Sequence, residues 1–218
     1  MILDFPVKYA LFDMDGTLTD TMRFWRNATN EFLEEEGLAL SEEQVRTLEK
    51  MTFYKGHEYV RSLRLSPRAD NFGIHDVLRI LKAHYEKDSV AKPAVPALLE
   101  ELRAKGVRMG VATLTPAFLA RICLAEVGLL DYFEFVLGGE DYPEGKSKPR
   151  IFYDAAARFG CEVTEMHLFE DSLYSIRTAR SVGIPVVGVA DRYQEEEREE
   201  IMAASIAFFD DGFSVRVK

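Results

Sequence analysis

Apolar and polar positions follow two different rhythms along this chain, and the change of rhythm marks its parts. "VKYALFDMD" is an apolar run that ends in acids and reads as a buried strand. From Met22 the spacing turns helical. Met22, Trp25, Ala28 and Phe32 fall on one face of "MRFWRNATNEFLEEE", and Gly37 closes that helix. "SEEQ" at 41–44 is a capping-box pattern, and Val45, Leu48 and Met51 carry a second helix beyond it. Ile74, Val77, Leu78, Leu81 and Tyr85 mark another. Residues 20–90 therefore read as helical, with no strand pattern.

After "KDSVAKPAVP", punctuated by Pro93 and Pro96, helices and short apolar strands alternate. "VPALLEELRAKG" is a helix with Gly106 past its end, and "VRMGVAT" a strand. "TPAFLARICLAEVG" is a helix with Thr115 as N-cap, Pro116 in first position and Gly128 as terminator. "FEFVLGG" is a strand, "PRIFYDAAARFG" a helix, "MHLFED" a strand and "SLYSIRTARSVG" a helix. "IPVVGVA" follows as a strand, "EEEREEIMAAS" as a short surface helix and "IAFFDD" as the last strand. Such alternation predicts an α/β core, a doubly wound, Rossmann-like parallel sheet covered on both faces.

Composition narrows the function. The chain has 218 residues, 47% hydrophobic and 29% charged, which is enough apolar sequence for a real core in a folded, water-facing protein. A net charge of −10 argues against nucleic acid as a partner but leaves room for a small phosphorylated substrate at a locally positive site. The two cysteines, Cys123 and Cys161, lack metal-type spacing, and a reducing, cytoplasmic setting is expected. The first residues do not read as a signal peptide, and no run approaches membrane-spanning length, so no membrane partner is expected. The acidic run 195–200 reads as a solvated helix face.

The chemistry gathers at strand ends, where open α/β sheets bind ligands. "VKYALFDMD" delivers Asp13 and Asp15, two carboxylates that close together need a cation, a shared proton or water. "MGVAT" delivers Thr113, the loop "EDYPEGKSKP" carries Lys146 and Lys148, and "HLFED" delivers Glu170 and Asp171. Each has a bland reading as a turn residue, a β-branched strand residue, a solvated lysine or a helix-start acid. Their convergence on one edge of a parallel sheet outweighs those readings. Four acids there call for a hard divalent cation with oxygen ligands, magnesium rather than zinc, since the four histidines are scattered. Thr113 and a lysine would hold a phosphoryl group, with Ser172 as N-cap placing a helix start nearby.

At these residues the chain resembles the haloacid dehalogenase-like hydrolase superfamily, within it the branch of beta-phosphoglucomutase and phosphoglycolate phosphatase. "FDMDGTLTD", "VATLT", "GKSKPRIF" and "LFEDSLYSIRTARSVGIPVVGV" carry the four motifs. The resemblance implies a core of residues 1–19 and 92–218 and an inserted helical cap domain at 20–91. It implies Asp13 as nucleophile, forming an aspartyl-phosphate, and Asp15 as acid and base. Asp13, Asp15 through its backbone carbonyl, and Asp171 would hold Mg2+, supported by Glu170. Thr113 and Lys146 would bind the phosphoryl group, with Gly16 and Leu114 against the substrate and Lys55 and His57 reaching from the cap. The implied activity is that of a monomeric, magnesium-dependent phosphatase of a small phosphorylated metabolite. A mutase is the alternative, although Trp25 stands where mutases of the branch carry histidine. A receiver-like or non-catalytic phosphate-binding protein is the other. Two departures matter. The lysine motif reads "KSKPR", leaving Lys148 as rival to Lys146, which in an extended loop would point the same way, and Ser175 replaces a common glycine.

Overall fold

Strand β1 (Tyr9–Phe12) is buried at every residue, as a strand covered on both faces must be, and "YALF" supplies the unbroken apolar run that this requires. The computed structural model describes residues 5–49, 53–210 and 215–217, the side chains of 46, 49, 53–57, 69–70 and 215–217 excepted. In it β1 lies between β2 (Arg108–Ala112) and β4 (Met166–Glu170). With β3 (Val136–Leu137), β5 (Val186–Val189), β6 (Ala207–Phe209) and β7 (Val215–Val217) the sheet order is β3-β2-β1-β4-β5-β6-β7. Pairings through β6 are parallel. The last strand was not expected: β7 runs antiparallel to β6, beyond the acidic break where the apolar pattern ends. Because the chain passes from β1 to β2 on one side and from β3 to β4 on the other, the strand order reverses at β1, which opens a crevice at the carboxyl ends there.

The chain divides into two compact units, Met1–Asp20 with Ser89–Lys218, and Thr21–Asp88. The second unit is helical among its described residues: α1 (Met22–Glu35), α2 (Glu42–Glu49), α3 (Phe53–Ser62), α4 (Pro67–Asp70) and α5 (Ile74–Tyr85). The capping box ahead of α2 forms, with Gln44 N–H donating to Ser41 Oγ at 3.3 Å and Ser41 N–H to Gln44 Oε1 at 2.8 Å. Met51 lies outside the described residues. The buried face of α1 is rotated from the expected one, to Phe24, Ala28, Thr29, Phe32 and Leu33. Its aromatic residues set that rotation: Phe24 stacks on His84 at 4.5 Å and Phe32 on Phe72 at 4.3 Å. Trp25 is half-buried and donates its indole N–H to Tyr85 Oη at 3.0 Å.

The sheet unit carries α6 (Val95–Ala104), α7 (Ala117–Glu126), α8 (Arg150–Phe159), α9 (Leu173–Ser181) and α10 (Arg198–Ala204). One core joins Tyr9 and Leu11 of β1 to Ile151, Phe152 and Ala155 of α8 and Leu173 and Ile176 of α9. At about 1.5–3 kcal/mol for each large apolar side chain, such burial dominates the stability of the unit. The expected start of α7 is corrected by one residue. Pro116, with ψ 137°, is the N-cap, and the Ala117 N–H finds a remote acceptor in Glu140, 3.0 and 2.9 Å from its two carboxylate oxygens. A residue ahead of proline is kept out of the helical region, and the Thr115 hydroxyl has another partner, described below.

Candidate active site

Sheet register brings the acids together. Phe12 pairs with Phe169 on one side and Val111 on the other, so the next residues, Asp13, Glu170 and Ala112, emerge side by side at the carboxyl edge. The Asp13 N–H donates to the Phe169 carbonyl at 3.0 Å, extending the ladder one residue past β1. The chain then turns over Met14, whose carbonyl accepts from the N–H groups of Thr17, Leu18 and Thr19. Gly16 makes that turn possible with φ +91°, and the turn leaves Asp13, Asp15 and Thr17 buried.

Each carboxylate at this edge has its own buried donor. Lys146, 1% exposed, pairs with Asp13 Oδ1 and with Glu170 Oε2, the latter at 2.9 Å. Thr17 Oγ1 donates to Asp171 Oδ1 at 3.0 Å, Thr115 Oγ1 to Asp15 Oδ2 at 2.6 Å, and Ser175 Oγ to Glu170 Oε2 at 2.6 Å. The other oxygen of Glu170 accepts from the N–H groups of Asp171 and Ser172, at 3.2 and 3.1 Å. Ser172 is the N-cap of α9 as expected, but its hydroxyl makes no capping bond, the Glu170 carboxylate taking its N–H group. Thr113 is buried directly after β2, and its hydroxyl accepts from the Thr115 N–H at 3.1 Å.

The two lysines separate. The segment Gly145–Ser147 is a 3₁₀ turn, in which residues two apart diverge, and not the extended loop expected from the sequence. Lys146 points into the carboxylates, and Lys148 is exposed. Leu114 is 39% exposed, and its backbone lies against the Gly139 backbone. Lys55 and His57 sit on α3, in the other unit, with side chains outside the described residues.

The electrostatics are unbalanced. Oxygens of Asp13, Glu170 and Asp171 lie within 4.8 Å of one another, three carboxylates around one ammonium. Burial pushes the Asp13 carboxyl up to about 8, against the pull of Lys146 and with the push of Glu170. Burial, with the charges of Glu170, Asp13 and Asp191, raises Asp171 well above the usual carboxylate range. Burial also works against the Lys146 ammonium, but Asp13 and Glu170 outweigh it and raise its pKa. Asp171 Oδ2 is buried without a hydrogen-bond partner. An orphaned oxygen within an all-oxygen donor set of excess negative charge fits a hard divalent cation. The Asp15 carboxylate is not one of these three; it turns to Thr115.

Sequence reasoning missed the hydroxyl partners. The sequence pattern presents Thr115 only as a helix cap and gives Thr17 no role. Spacing carried no signal for them, because the chain leaves the strand after Ala112 and bends at Leu114 and Thr115. A separate cavity of about 240 Å3 lies in the same unit, lined by Phe12, Leu18, Lys92, Val95, Phe169 and Phe209 among others. It contains none of the clustered carboxylates, and convergence of donors and acceptors, not cavity size, singles out the carboxylate edge.

The profile of haloacid dehalogenase-like hydrolases matches residues 10–189. A phosphoglycolate phosphatase of Rhodospirillum rubrum is 31% identical over 212 residues, covering 94% of this chain and 87% of its own length. One of Nitrosospira multiformis is 33% identical over 198 residues, covering 87% and 86%. Among solved structures, CbbY from Rhodobacter sphaeroides in complex with phosphate shares the fold, with TM-score 0.76, 23% identity and 95% of each chain covered. With a family match across most of its length and a relative above 30% identity, the chain belongs to the haloacid dehalogenase-like hydrolases.

Proposed function

We propose that this protein is a magnesium-dependent phosphatase that hydrolyses a small phosphate monoester through an aspartyl-phosphate on Asp13. The convergence of Asp13, Glu170, Asp171 and Lys146 at the ends of two adjacent strands carries this reading. The relatives named phosphoglycolate phosphatase support a small phosphorylated metabolite as substrate.

Asp13 and Asp171 would hold the cation, with the Asp15 backbone carbonyl and with Glu170 behind them. Bound there, the cation would neutralise charge on a phosphoryl oxygen. A carboxylate oxygen of Asp13 attacks phosphorus and the bond to the leaving oxygen breaks. That oxygen keeps the bonding pair and takes the proton of Asp15. Asp15, now a carboxylate, accepts a proton from the incoming water, whose oxygen attacks phosphorus. The aspartyl P–O bond then breaks, which frees inorganic phosphate and restores Asp13. Lys146 and Thr113 hold the phosphoryl oxygens by charge and hydroxyl throughout, so that electrostatic positioning supplies most of the acceleration. Gly16 and Leu114 would bound the substrate on the sheet unit. A cytoplasmic monomer suffices for this chemistry. No helix among the described residues is long and apolar enough to cross a membrane.

The test is turnover of phosphoglycolate and a panel of sugar phosphates with and without Mg2+, together with trapping of phosphate on Asp13. Metal-dependent release of phosphate and its loss in folded Asp13→Asn are expected. Phosphate transfer within a sugar would point to a mutase, and stable self-phosphorylation to a receiver. Binding without turnover would overturn the enzyme.

A further inference from the structure

We infer that Thr115 is a positioning residue for Asp15, holding the plane and direction in which its carboxyl group faces the leaving group. The inference rests on the reading of Asp15 as proton donor. Thr115 is 1% exposed, and its hydroxyl donates to Asp15 Oδ2 at 2.6 Å, the length of a strong hydrogen bond to a carboxylate. Pro116 is the N-cap of α7 and Glu140 takes the Ala117 N–H, so the start of that helix is served by a carboxylate from another segment.

The segment is held from several sides. The Thr115 N–H donates to Thr113 Oγ1 at 3.1 Å, and the Gly139 N–H to the Thr115 carbonyl at 3.2 Å. The backbones of Gly138 and Gly139 approach so closely that a β-carbon on either would lie 2.1 Å from the Ala117 nitrogen or the Leu114 oxygen. Thr115 therefore approaches Asp15 from a fixed platform and not from a mobile loop.

The Thr115 hydroxyl holds the Asp15 carboxyl group at Oδ2. Thr115 thus keeps the acid in one arrangement and holds its plane. When Asp13 attacks phosphorus and the bond to the leaving oxygen breaks, the proton of Asp15 passes to that oxygen, which retains the bonding pair. Thr115 keeps its own proton and still donates to the resulting carboxylate. Without the hydroxyl, the acid can turn away from the leaving group. Only leaving groups that need protonation should then suffer.

Rapid-quench measurement of Asp13 phosphorylation, using phenyl phosphate and p-nitrophenyl phosphate with Mg2+, tests this. Thr115→Val keeps the shape and removes the hydroxyl. It should slow phosphorylation by phenyl phosphate by about 10–100-fold, part of the full worth of a general acid, and by p-nitrophenyl phosphate much less. Thr115→Ser should restore most of the loss. Equal losses on both substrates, no loss on phenyl phosphate, or a serine variant as slow as the valine one would overturn the inference. Thr115→Ala replaces the valine variant if that one does not fold. If wild-type protein never phosphorylates Asp13, the enzyme reading fails separately. Crystal structures of wild type and variant then decide the positioning: a turned Asp15 supports it, and an unchanged Asp15 side chain overturns it.

Discussion

A β-carbon on Gly16 would lie 2.6 Å from Oδ2 of Asp171, so the turn after β1 and the acid after β4 meet with no space between them. Substitution there is doubly opposed, by the positive φ of +91° and by a buried carboxylate whose Oδ2 has no other partner. Gly16→Ala should destabilise the protein by about 1–3 kcal/mol through backbone strain. It should also weaken Mg2+ binding by about 10–100-fold, the usual effect of disturbing a group that orients a ligand. Thermal melts and calorimetric titration with Mg2+ check both, and a variant that binds as wild type would show that Asp171 tolerates displacement.

Lys146 and Lys148 should behave differently despite their spacing. Lys146→Ala strands buried carboxylates without their ammonium, a loss of about 3–5 kcal/mol for breaking a buried pair. Its kcat/KM should fall by at least ~100-fold, comparable to losing one preorganised electrostatic donor. Lys148 is exposed, and Lys148→Ala should cost about tenfold or less, as a solvent-screened charge does. Kinetics of both single variants on one substrate, with denaturation curves, decide it. A severe loss confined to Lys148→Ala would contradict the role given to Lys146.

Metal removal should be visible without any assay of turnover. Asp13, Glu170 and Asp171 repel one another when all are charged, and a divalent cation relieves this only in the folded state. Adding Mg2+ at about 100 times its dissociation constant to chelator-treated protein should raise stability by about 2.7 kcal/mol. Asp171→Asn should abolish that gain. A melting curve indifferent to Mg2+ would count against a metal at this edge.

The helical unit should have its own pH dependence. His84 lies between two carboxylates, Nε2 at 2.7 Å from Glu31 Oε2 on α1 and Nδ1 at 2.8 Å from Asp88 Oδ2. Phe24 stacks on its ring, and the Arg23 guanidinium stands 4.7 Å over the far ring. Burial works against the imidazolium, but hydrogen bonds to Glu31 and Asp88 outweigh it and raise the pKa. The folded state thus holds its proton to higher pH than the unfolded chain, so this contribution is complete below the ordinary value of about 6.5 and disappears as pH rises through the folded value. Stability should fall over that window, and His84→Gln should flatten the slope, as read by chemical denaturation across pH. An unchanged slope in the variant would assign the pH dependence elsewhere.

Much of the local architecture is written in the sequence because it depends on near neighbours. The apolar runs "YALF", "RMGVA", "MHLFE" and "VVGV" have the length and composition of covered parallel strands, and they form β1, β2, β4 and β5. Ser41 and Gln44 announce the start of α2 three residues apart, and Gly160 ends α8 in the left-handed conformation that a helix stop favours. The last strand escaped because β7 takes its identity from pairing with β6. Of the α1 face, Ala28 and Phe32 are buried as expected, whereas Phe24, which stacks on His84 far along the chain, takes the place of the half-buried Met22 and Trp25.

The sequence by itself determined that acids, a threonine and lysines stand at the ends of strands, since strand ends can be read from where apolar runs stop. Only the tertiary structure decided which of them meet. Strand order and register place Asp13 beside Glu170, although 157 = 170 − 13 residues separate them. The 3₁₀ turn at Gly145–Ser147 sends Lys146 inward and leaves Lys148 outside, a choice invisible to spacing because it depends on local winding. Thr17 and Thr115 become partners of Asp171 and Asp15 only once segments 154 and 100 residues apart converge. Hydrophobic periodicity encodes which face of an element is buried. It carries no record of which distant polar atom will need a donor, because that need arises only when water has been excluded and the carboxylates are already side by side.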